Sequence, residues 1–167
     1  KGYSIRRGVF LARGDLVLLS DADFSTPIND YYKLYQKIDD GYDIAIGSRA
    51  LPSSAVTIHQ SLLRENMGRL FNRLVRWLGL SVFTDTQCGF KCFSRHETLS
   101  IFHRMRVDRF SFDVEFLFLS ELSGLSVIEV PVTWNNVSSS RVRMIRDSIS
   151  MLFDLFRIKV NHNLGRY

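Results

Sequence analysis

Hydrophobic and polar residues follow two kinds of spacing along the chain. Short, mostly apolar runs at 16–19 and 43–47 predict strands buried on both faces. Apolar residues three or four positions apart predict amphipathic helices. Because these segments alternate, the chain is expected to adopt an α/β fold. We place helices at 1–13, 27–40, 59–78, 94–103, 110–123 and 141–160, a further strand at 125–134, a loop at 50–57 and a frayed tail at 161–167.

Two carboxylates follow directly after the first predicted strand. Asp21 and Asp23 are separated by one alanine, and the polar residues before Pro27 favour a helix start. In open α/β sheets the carboxyl ends of the strands form the ligand-binding edge. Mg²⁺ and Mn²⁺ prefer oxygen ligands and often bind one or two carboxylates together with substrate phosphates. The pattern predicts a metal–diphosphate site, with the alternative that one aspartate caps the helix and the other is solvated.

Composition and charge limit the partners. A chain of 167 residues that is 46% hydrophobic can form one domain with a real core. Its net charge of +5 favours phosphates, nucleic acid or an acidic membrane surface. Nucleic acid is disfavoured because the aromatic residues follow core spacing and do not alternate with basic residues on one face. No apolar run reaches the roughly 18 residues of a membrane span, and Cys88 and Cys92 lack the companions of a zinc site.

Further candidate residues lie directly after the second strand and near the middle of the chain. Arg49 could hold a phosphate through two hydrogen bonds, or it is an ordinary surface arginine. The segment 84–91, TDTQCGFK, offers Asp85 as a sugar ligand or base, Gln87 as a hydrogen-bonding group and Lys91 as an anion contact. The alternative is a turn that Asp85 caps, with Lys91 in solvent.

Charged residues in the second half of the chain allow two interpretations. Asp113 and Glu115 interrupt a very apolar predicted helix and are costly to bury unless they are paired. We expect ion pairs with Arg106 or Arg109, structural for Glu115, and leave a role in the site open for Asp113.

The predicted helix 141–160 carries basic residues around an apolar face, so it lies in a membrane interface or packs on the sheet. We favour one side packed and the other near lipid head groups.

Several short motifs together resemble the GT-A glycosyltransferases that use polyprenyl or dolichyl phosphate acceptors. The resemblance runs over nearly the whole chain, to about Lys159, and is strongest for the branch that transfers glucose. The Asp-x-Asp element is common to many GT-A enzymes, whereas DTQCGFK is specific to the glucosyl branch and its near relatives. The matching motifs are Lys1-Gly2, Gly14-Asp15, Asp21-Ala22-Asp23, Gly47-Ser48-Arg49, DTQCGFK at 85–91, FDVE at 112–115 and VTW at 132–134.

This resemblance implies a fold and a reaction. The fold would be GT-A, Rossmann-like, with a mixed, mostly parallel sheet flanked by helices. Residues 1–160 would be the C-terminal portion of that domain, with 141–160 as a basic amphipathic helix and 161–167 as a tail. We therefore expect a domain truncated at its N-terminus, without the opening nucleotide-binding portion. The implied reaction is inverting, metal-dependent transfer of a glucosyl (hexosyl) group from UDP-glucose to polyprenyl or dolichyl phosphate.

The resemblance also implies roles for individual residues. Asp23, supported by Asp21, would bind Mg²⁺ or Mn²⁺ beneath the leaving diphosphate. Asp85 and Arg49 are the catalytic candidates. The remaining assignments are acceptor phosphate binding by Arg49, Arg64 and Arg141, sugar binding by Asp85, Gln87 and Lys91, and substrate binding by Lys1 and Asp21.

The expected partners follow from that reaction. They are a UDP-sugar, a polyprenyl phosphate lipid and a membrane surface, with the protein at the cytoplasmic face of a membrane and a homo-oligomer as a further expectation. Two other classes stay open. One is a metal-dependent nucleotidyltransferase or phosphohydrolase, which also uses paired aspartates. The other is a non-catalytic, membrane-associated basic domain.

Overall fold

The computed structural model describes residues 1–58, 62–135 and 144–167. Strands and helices alternate through this part of the chain, which confirms the α/β class. The elements are α1 (Gly2–Leu11), β1 (Leu16–Leu19), α2 (Tyr31–Asp39), β2 (Ile44–Ser48), β3 (Ala55–Ile58), α3 (Leu62–Trp77), β4 (Lys91–Ser94), α4 (Arg95–Arg104), α5 (Phe112–Leu122), β5 (Val127–Pro131), β6 (Thr133–Asn135) and α6 (Met144–Asn163).

Four strands form the main sheet in the order β1-β4-β2-β5. Strand β2 pairs in parallel with β5, whereas β4 is antiparallel to both β1 and β2. A separate parallel pair joins β3 to β6. The predicted mixed sheet is confirmed, with less parallel pairing than expected because β4 runs in the opposite direction. As a result, β4 begins at the edge of the sheet where β1 and β2 end.

Strand β1 differs from the buried strand that its apolar run predicts. It stands at one end of the strand order, and its four residues are only half-buried. The cause is the position of β4 between β1 and β2, which leaves β1 one hydrogen-bonded neighbour within the described residues. The prediction holds for β2, which is buried along its whole length.

Helices pack on both faces of the main sheet. On one face, Leu34 of α2 joins a small apolar cluster with the sheet. On the other, the rings of Phe93, Phe102 and Phe116 lie with centroids 5.0 to 5.5 Å apart. Helix α5 is the centre of this larger core, and every residue from Phe112 to Ser120 is buried. Charged residues on α5 must therefore find partners inside the protein.

Some predicted elements shift at their ends. The predicted helix 27–40 begins with a single 3₁₀ turn, Ile28–Asp30, before α2. The predicted loop 50–57 ends in β3, Ala55–Ile58, because that segment pairs with the distant strand β6. The predicted helices 59–78 and 141–160 correspond to α3 and α6, and their first positions, 59–61 and 141–143, lie outside the described residues.

Specific hydrogen bonds fix the start of α4 and the C-terminal residues of the chain. Ser94 accepts the N–H of Glu97 and so caps α4, which corresponds to the predicted helix 94–103. The prediction of a frayed tail is wrong, because α6 continues to Asn163 and the hydroxyl of Tyr167 donates to Oε1 of Glu115 at 2.7 Å. Of the helices described, none combines the length and apolarity needed to cross a membrane.

Candidate functional site

The site lies at the edge of the main sheet where β1 and β2 end and β4 begins. Asp21 follows β1 and Arg49 follows β2. The loop before β4 carries Asp85 to the same edge, where it pairs with Arg49. Lys91 is the first residue of β4 and lies opposite Leu19 of β1 in the sheet register. The antiparallel direction of β4 thus brings the segment 84–91 to the two strand ends.

A tight turn presents the two aspartates after β1. The N–H of Phe24 donates to the carbonyl of Asp21 at 3.1 Å, and Phe24 has a φ of 51°, which is uncommon for a residue with a side chain. Asp23 is exposed, and its Oδ1 accepts hydrogen bonds from the N–H and the hydroxyl of Ser25, at 3.0 and 2.8 Å. Asp23 therefore closes this turn and does not cap a helix, while Ser25 fixes its orientation.

Asp21 contacts two segments that are distant from it in sequence. Its Oδ1 lies 2.8 Å from the Nζ of Lys1, which stands at the start of α1. A Cβ added at Gly89 would overlap the Asp21 carboxylate, so only glycine allows this close approach. Burial alone would lower the pKa of Lys1, but the charges of Asp113 and Asp21 raise it above its usual value. Lys1 is therefore a cation in direct contact with the predicted metal ligand.

Arg49 and Asp85 form a two-point ion pair. Nε of Arg49 lies 2.7 Å from Oδ2 of Asp85, and Nη2 lies 2.9 Å from Oδ1. The main-chain N–H of Arg49 also donates to Oδ2 at 3.0 Å. The guanidinium stands 5.5 Å from the centroid of Trp134, within cation–π range. The Arg49 side chain is 30% exposed and that of Asp85 only 4%, so Arg49 is the partner that reaches solvent.

The pair determines the protonation of Asp85. Burial alone would raise the pKa of this carboxyl, but the charge and hydrogen bonds of Arg49, with the charge of Lys91, lower it below its usual value. Burial would also lower the pKa of Arg49, and Asp85 raises it instead. A carboxylate with a lowered pKa and engaged oxygens is a weak general base. This geometry suits Asp85 to hold a group in place better than to accept a proton.

Lys91 lies beneath the site surface. Its side chain is 1% exposed, and its Nζ lies 2.6 Å from Oδ1 of Asp113, which is 2% exposed. The same Nζ donates to the carbonyl of Cys88 at 2.6 Å. The prediction that Asp113 pairs with Arg106 or Arg109 is therefore wrong. The sheet register brings Lys91 to the first turn of α5 instead.

Glu115 has the structural role expected of it, with different partners. Its carboxylate accepts the main-chain N–H groups of Arg106 and Val107 at 2.8 to 3.0 Å, besides the hydroxyl of Tyr167. No arginine side chain is needed for these bonds. Burial outweighs them and raises the pKa of Glu115.

Glu129 is a site residue that the sequence analysis missed. It accepts the N–H of Thr84 and of Asp85, each at 3.0 Å, and the hydroxyl of Thr84 at 2.7 Å. It thereby ties the loop before β4 to β5. The available signal was the one charged residue in the mostly apolar predicted strand 125–134, which indicates a specific partner.

The remaining predicted residues divide into two groups. Gln87 is half-buried beside the ion pair, and its main-chain N–H donates to Oδ1 of Asp85 at 3.3 Å. The side chain of Arg64 and the whole of Arg141 lie outside the described residues, so their predicted contacts with the acceptor phosphate stay predictions.

The donors at the sheet edge fit a divalent cation that is shared with a diphosphate. Asp23 offers an exposed carboxylate and Asp21 a half-exposed one. Mg²⁺ and Mn²⁺ accept such oxygens and complete their shells with phosphate and water. Within residues 1–58, 62–135 and 144–167, no group of three or more His, Cys, Asp or Glu side chains is placed to hold a metal ion.

One protein family and several curated proteins are similar to this chain in sequence. Residues 1–99 match the model described as glycosyl transferase family 2. A dolichyl-phosphate β-glucosyltransferase of Trichomonas vaginalis is 34% identical over 99% of this chain and 50% of its own length. The enzyme of that name from Drosophila melanogaster is 36% identical over 100% of this chain and 53% of its own length. The chain spans about half the length of the curated relatives it matches.

Solved structures resemble the fold. Glucosyl-3-phosphoglycerate synthase from Mycobacterium tuberculosis in complex with UDP has a TM-score of 0.65, with 17% identity over 95% of this chain and 55% of that chain. Its complex with Mn²⁺, UDP-glucose and glycerol 3-phosphate has a TM-score of 0.59, with 16% identity over 99% of this chain and 54% of that chain. These similarities confirm the predicted GT-A fold.

Proposed function

This chain belongs to glycosyl transferase family 2, and we propose that it transfers a glucosyl group from UDP-glucose to dolichyl or another polyprenyl phosphate, with inversion and with Mg²⁺ or Mn²⁺. The names of the sequence relatives support the sugar and the lipid acceptor. The structural relative supports the donor and the metal, since that enzyme has been solved in complex with Mn²⁺ and UDP-glucose. The observation that carries the proposal is the meeting of Asp21, Asp23, Arg49 and Asp85 at one sheet edge.

The acceptor makes few demands on a general base. A phosphate monoester has a second pKa near about 6, so it is largely dianionic at neutral pH and already nucleophilic. The weak basicity of Asp85 is compatible with such an acceptor. In the proposal, Asp85 orients Arg49, the half-buried Gln87 beside them contacts the sugar, and the partly exposed Arg49 offsets repulsion between the two anionic substrates.

The leaving group makes the larger demand. When bound, a divalent cation neutralises the charge that develops on the departing diphosphate. Asp23 would hold it with support from Asp21, and Ser25 would keep Asp23 in the binding orientation. Lys1 adds a positive charge beside Asp21.

Calorimetry and a transfer assay test the proposal together. Wild-type protein is titrated with UDP-glucose in the presence and absence of Mn²⁺, and transfer to a short-chain polyprenyl phosphate is measured. We expect Mn²⁺-dependent binding and transfer, both lost in Asp23→Asn. Asp39→Asn is the matched control, because Asp39 is an exposed aspartate at the end of α2, where the chain leads into the beginning of β2, whereas the site lies where β2 ends.

Two outcomes would overturn the proposal. Full metal-dependent turnover by Asp23→Asn would remove Asp23 from the metal site. Release of free glucose or phosphate without any lipid acceptor would favour a nucleotidyltransferase or phosphohydrolase instead.

A membrane surface is the second proposed partner, and the protein would lie at the cytoplasmic face of that membrane. The outward side of α6 exposes a stripe of large apolar side chains at helical spacing: Ile149, Phe153, Phe156 and Val160. Leu155 and Ile158, on the opposite side, are fully buried in the core. By helical geometry, Arg146 and Arg157 lie along one margin of the stripe and Lys159 along the other. An apolar stripe with basic margins is typical of a helix that lies in the interface of an anionic membrane.

A further inference from the structure

The Lys91–Asp113 pair lies beneath the site, and main-chain atoms connect it to the predicted metal ligands. Both side chains are almost completely buried, with Nζ and Oδ1 2.6 Å apart. The Nζ of Lys91 also donates to the carbonyl of Cys88 at 2.6 Å. Lys91 thus joins α5 to the loop that precedes β4.

The Cys88 carbonyl belongs to the peptide that leads into Gly89, and Gly89 supports Asp21. The Asp21 carboxylate lies so close to Gly89 that a Cβ there would overlap it. Lys1 holds the same carboxylate at 2.8 Å. A movement of the Cys88–Gly89 peptide would therefore change the space that Asp21 occupies.

Stability alone does not explain why a charged pair is buried here. Well-packed apolar residues of similar volume are often as stabilising as a buried ion pair, or more so. Apolar residues cannot, however, donate the hydrogen bond that Lys91 gives to Cys88. Without that donor the Cys88 carbonyl would lose a buried partner, and the peptide that supports Asp21 would be less firmly held.

We propose that Lys91 and Asp113 are positioning residues, which act through the Cys88 carbonyl and Gly89 to set the position of Asp21 for the metal and the donor diphosphate. The inference rests on the proposed function of the sheet edge. It gives Lys91 an indirect role, where the sequence predicted direct contact with an anion. Asp113 matters because it orients the Lys91 ammonium and balances its charge.

The test uses Lys91→Met combined with Asp113→Leu, so that neither charge is left alone in the core. Free Mn²⁺ is measured by electron paramagnetic resonance during titration in the presence of UDP, and thermal unfolding is followed in parallel. We expect the dissociation constant for Mn²⁺ to rise about tenfold, as for other groups that orient metal ligands, with a melting temperature near that of the wild type, because removal of the buried charges offsets loss of the hydrogen bond to Cys88.

Glu115→Gln is the matched control. Glu115 is a fully buried carboxylate on the same helix, but it binds main-chain N–H groups of the segment before α5 and the hydroxyl of Tyr167. We expect this variant to lower the melting temperature and to leave the Mn²⁺ affinity unchanged. A merely structural role for Lys91 and Asp113 would give the same result as Glu115→Gln.

A second readout needs no ligand. In the ¹H–¹⁵N spectrum, the amide resonance of Gly89 is expected to shift in the double variant and to stay in place in Glu115→Gln. If the double variant does not fold, Asp113→Asn replaces it, because asparagine keeps the shape and one acceptor oxygen. We then expect a smaller rise in the Mn²⁺ dissociation constant and a smaller shift of the Gly89 resonance.

The outcomes separate this inference from the proposed function. Wild-type Mn²⁺ affinity together with an unmoved Gly89 resonance in the variants would overturn the positioning role and leave the proposed function intact. Failure of the wild-type protein to bind Mn²⁺ and UDP would overturn the proposed function. In that case the Gly89 resonance would still decide whether the buried pair controls this peptide.

Discussion

Arg49 and Asp85 bind each other through two pairs of atoms, Nε to Oδ2 at 2.7 Å and Nη2 to Oδ1 at 2.9 Å. The pair joins residues that are 36 positions apart, one at the end of β2 and the other in the loop before β4. It therefore holds two walls of the site together. A substitution of either residue should change stability as well as substrate binding.

Stability should reveal how strongly the two residues depend on each other. Arg49→Gln leaves the carboxylate of Asp85 buried without its cation, and we expect a loss of about 3 kcal/mol in the free energy of unfolding. Asp85→Asn should cost less, because asparagine keeps an acceptor oxygen and Arg49 still reaches solvent. Urea unfolding of both single variants and the double variant measures the coupling. Additivity within about 0.5 kcal/mol would show that the pair contributes little.

The same pair should give a defined pH dependence of stability. Asp85 in the unfolded chain titrates near the ordinary value of 3.8, and its pKa in the folded protein is lower. The unfolded state then binds more protons between the two values, so the stabilisation is complete above the unfolded pKa and is lost as the pH falls through the folded one. We expect the stability difference between wild type and Asp85→Asn to be constant from about pH 5 to 7 and to shrink below about pH 4.

Unfolding by urea at a series of pH values checks this prediction, and the difference between the two proteins removes the titration of shared groups. A difference that grew as the pH fell would mean that burial dominates and that the pKa of Asp85 is raised.

Local patterns in the sequence were sufficient to predict which residues follow the strand ends at the site. They were insufficient to predict which of those residues contact one another. The apolar run 16–19 followed by Asp21 and Asp23 indicates a strand with ligands at its end, because both signals lie within a few residues. The pairing of Arg49 with Asp85, and of Lys91 with Asp113, depends on the direction of β4. That direction is set by tertiary packing, which single-residue spacing does not encode. Each partner alone appears only as a charge in need of a counterion.

The close contact at Gly89 gives a steric prediction. Gly89→Ala places a methyl group on the Asp21 carboxylate, so we expect Asp21 to be displaced, Mn²⁺-dependent UDP binding to weaken about tenfold or more, and stability to fall by about 1 to 3 kcal/mol. Gly68→Ala is the control, because Gly68 lies within α3 and a Cβ there meets nothing within 4 Å. The control should be stabilised by up to about 1 kcal/mol, since alanine favours helix.

Calorimetry with UDP and Mn²⁺, together with thermal unfolding, measures both effects. Normal binding by Gly89→Ala would show that Asp21 can move away from residue 89 without loss of affinity for UDP and Mn²⁺. The position of Asp21 would then not be critical for binding.

The outward face of α6 gives the last prediction. Phe153 and Phe156 are 70% and 53% exposed, so replacing them with serine removes little packing and should leave the melting temperature unchanged. If they enter the membrane interface, each loses the benefit of burying an aromatic ring, roughly 1.5 to 3 kcal/mol. We expect the double variant to bind anionic vesicles at least about tenfold more weakly than the wild type in a sedimentation assay. Tyr32→Ser, at an aromatic residue of α2 that is 68% exposed, is the control and should bind normally.

Comparing anionic with neutral vesicles distinguishes the contribution of the apolar side chains of α6 from that of its basic side chains. Arg157→Gln should weaken binding to anionic vesicles about fivefold, from roughly 1 kcal/mol for each basic residue near the surface, and should have little effect on neutral vesicles. Equal weakening by Tyr32→Ser would show that exposed aromatics bind lipid without specificity, and α6 would then have no special role. Unchanged binding by the Phe153 and Phe156 variant would place the membrane contact elsewhere on the protein.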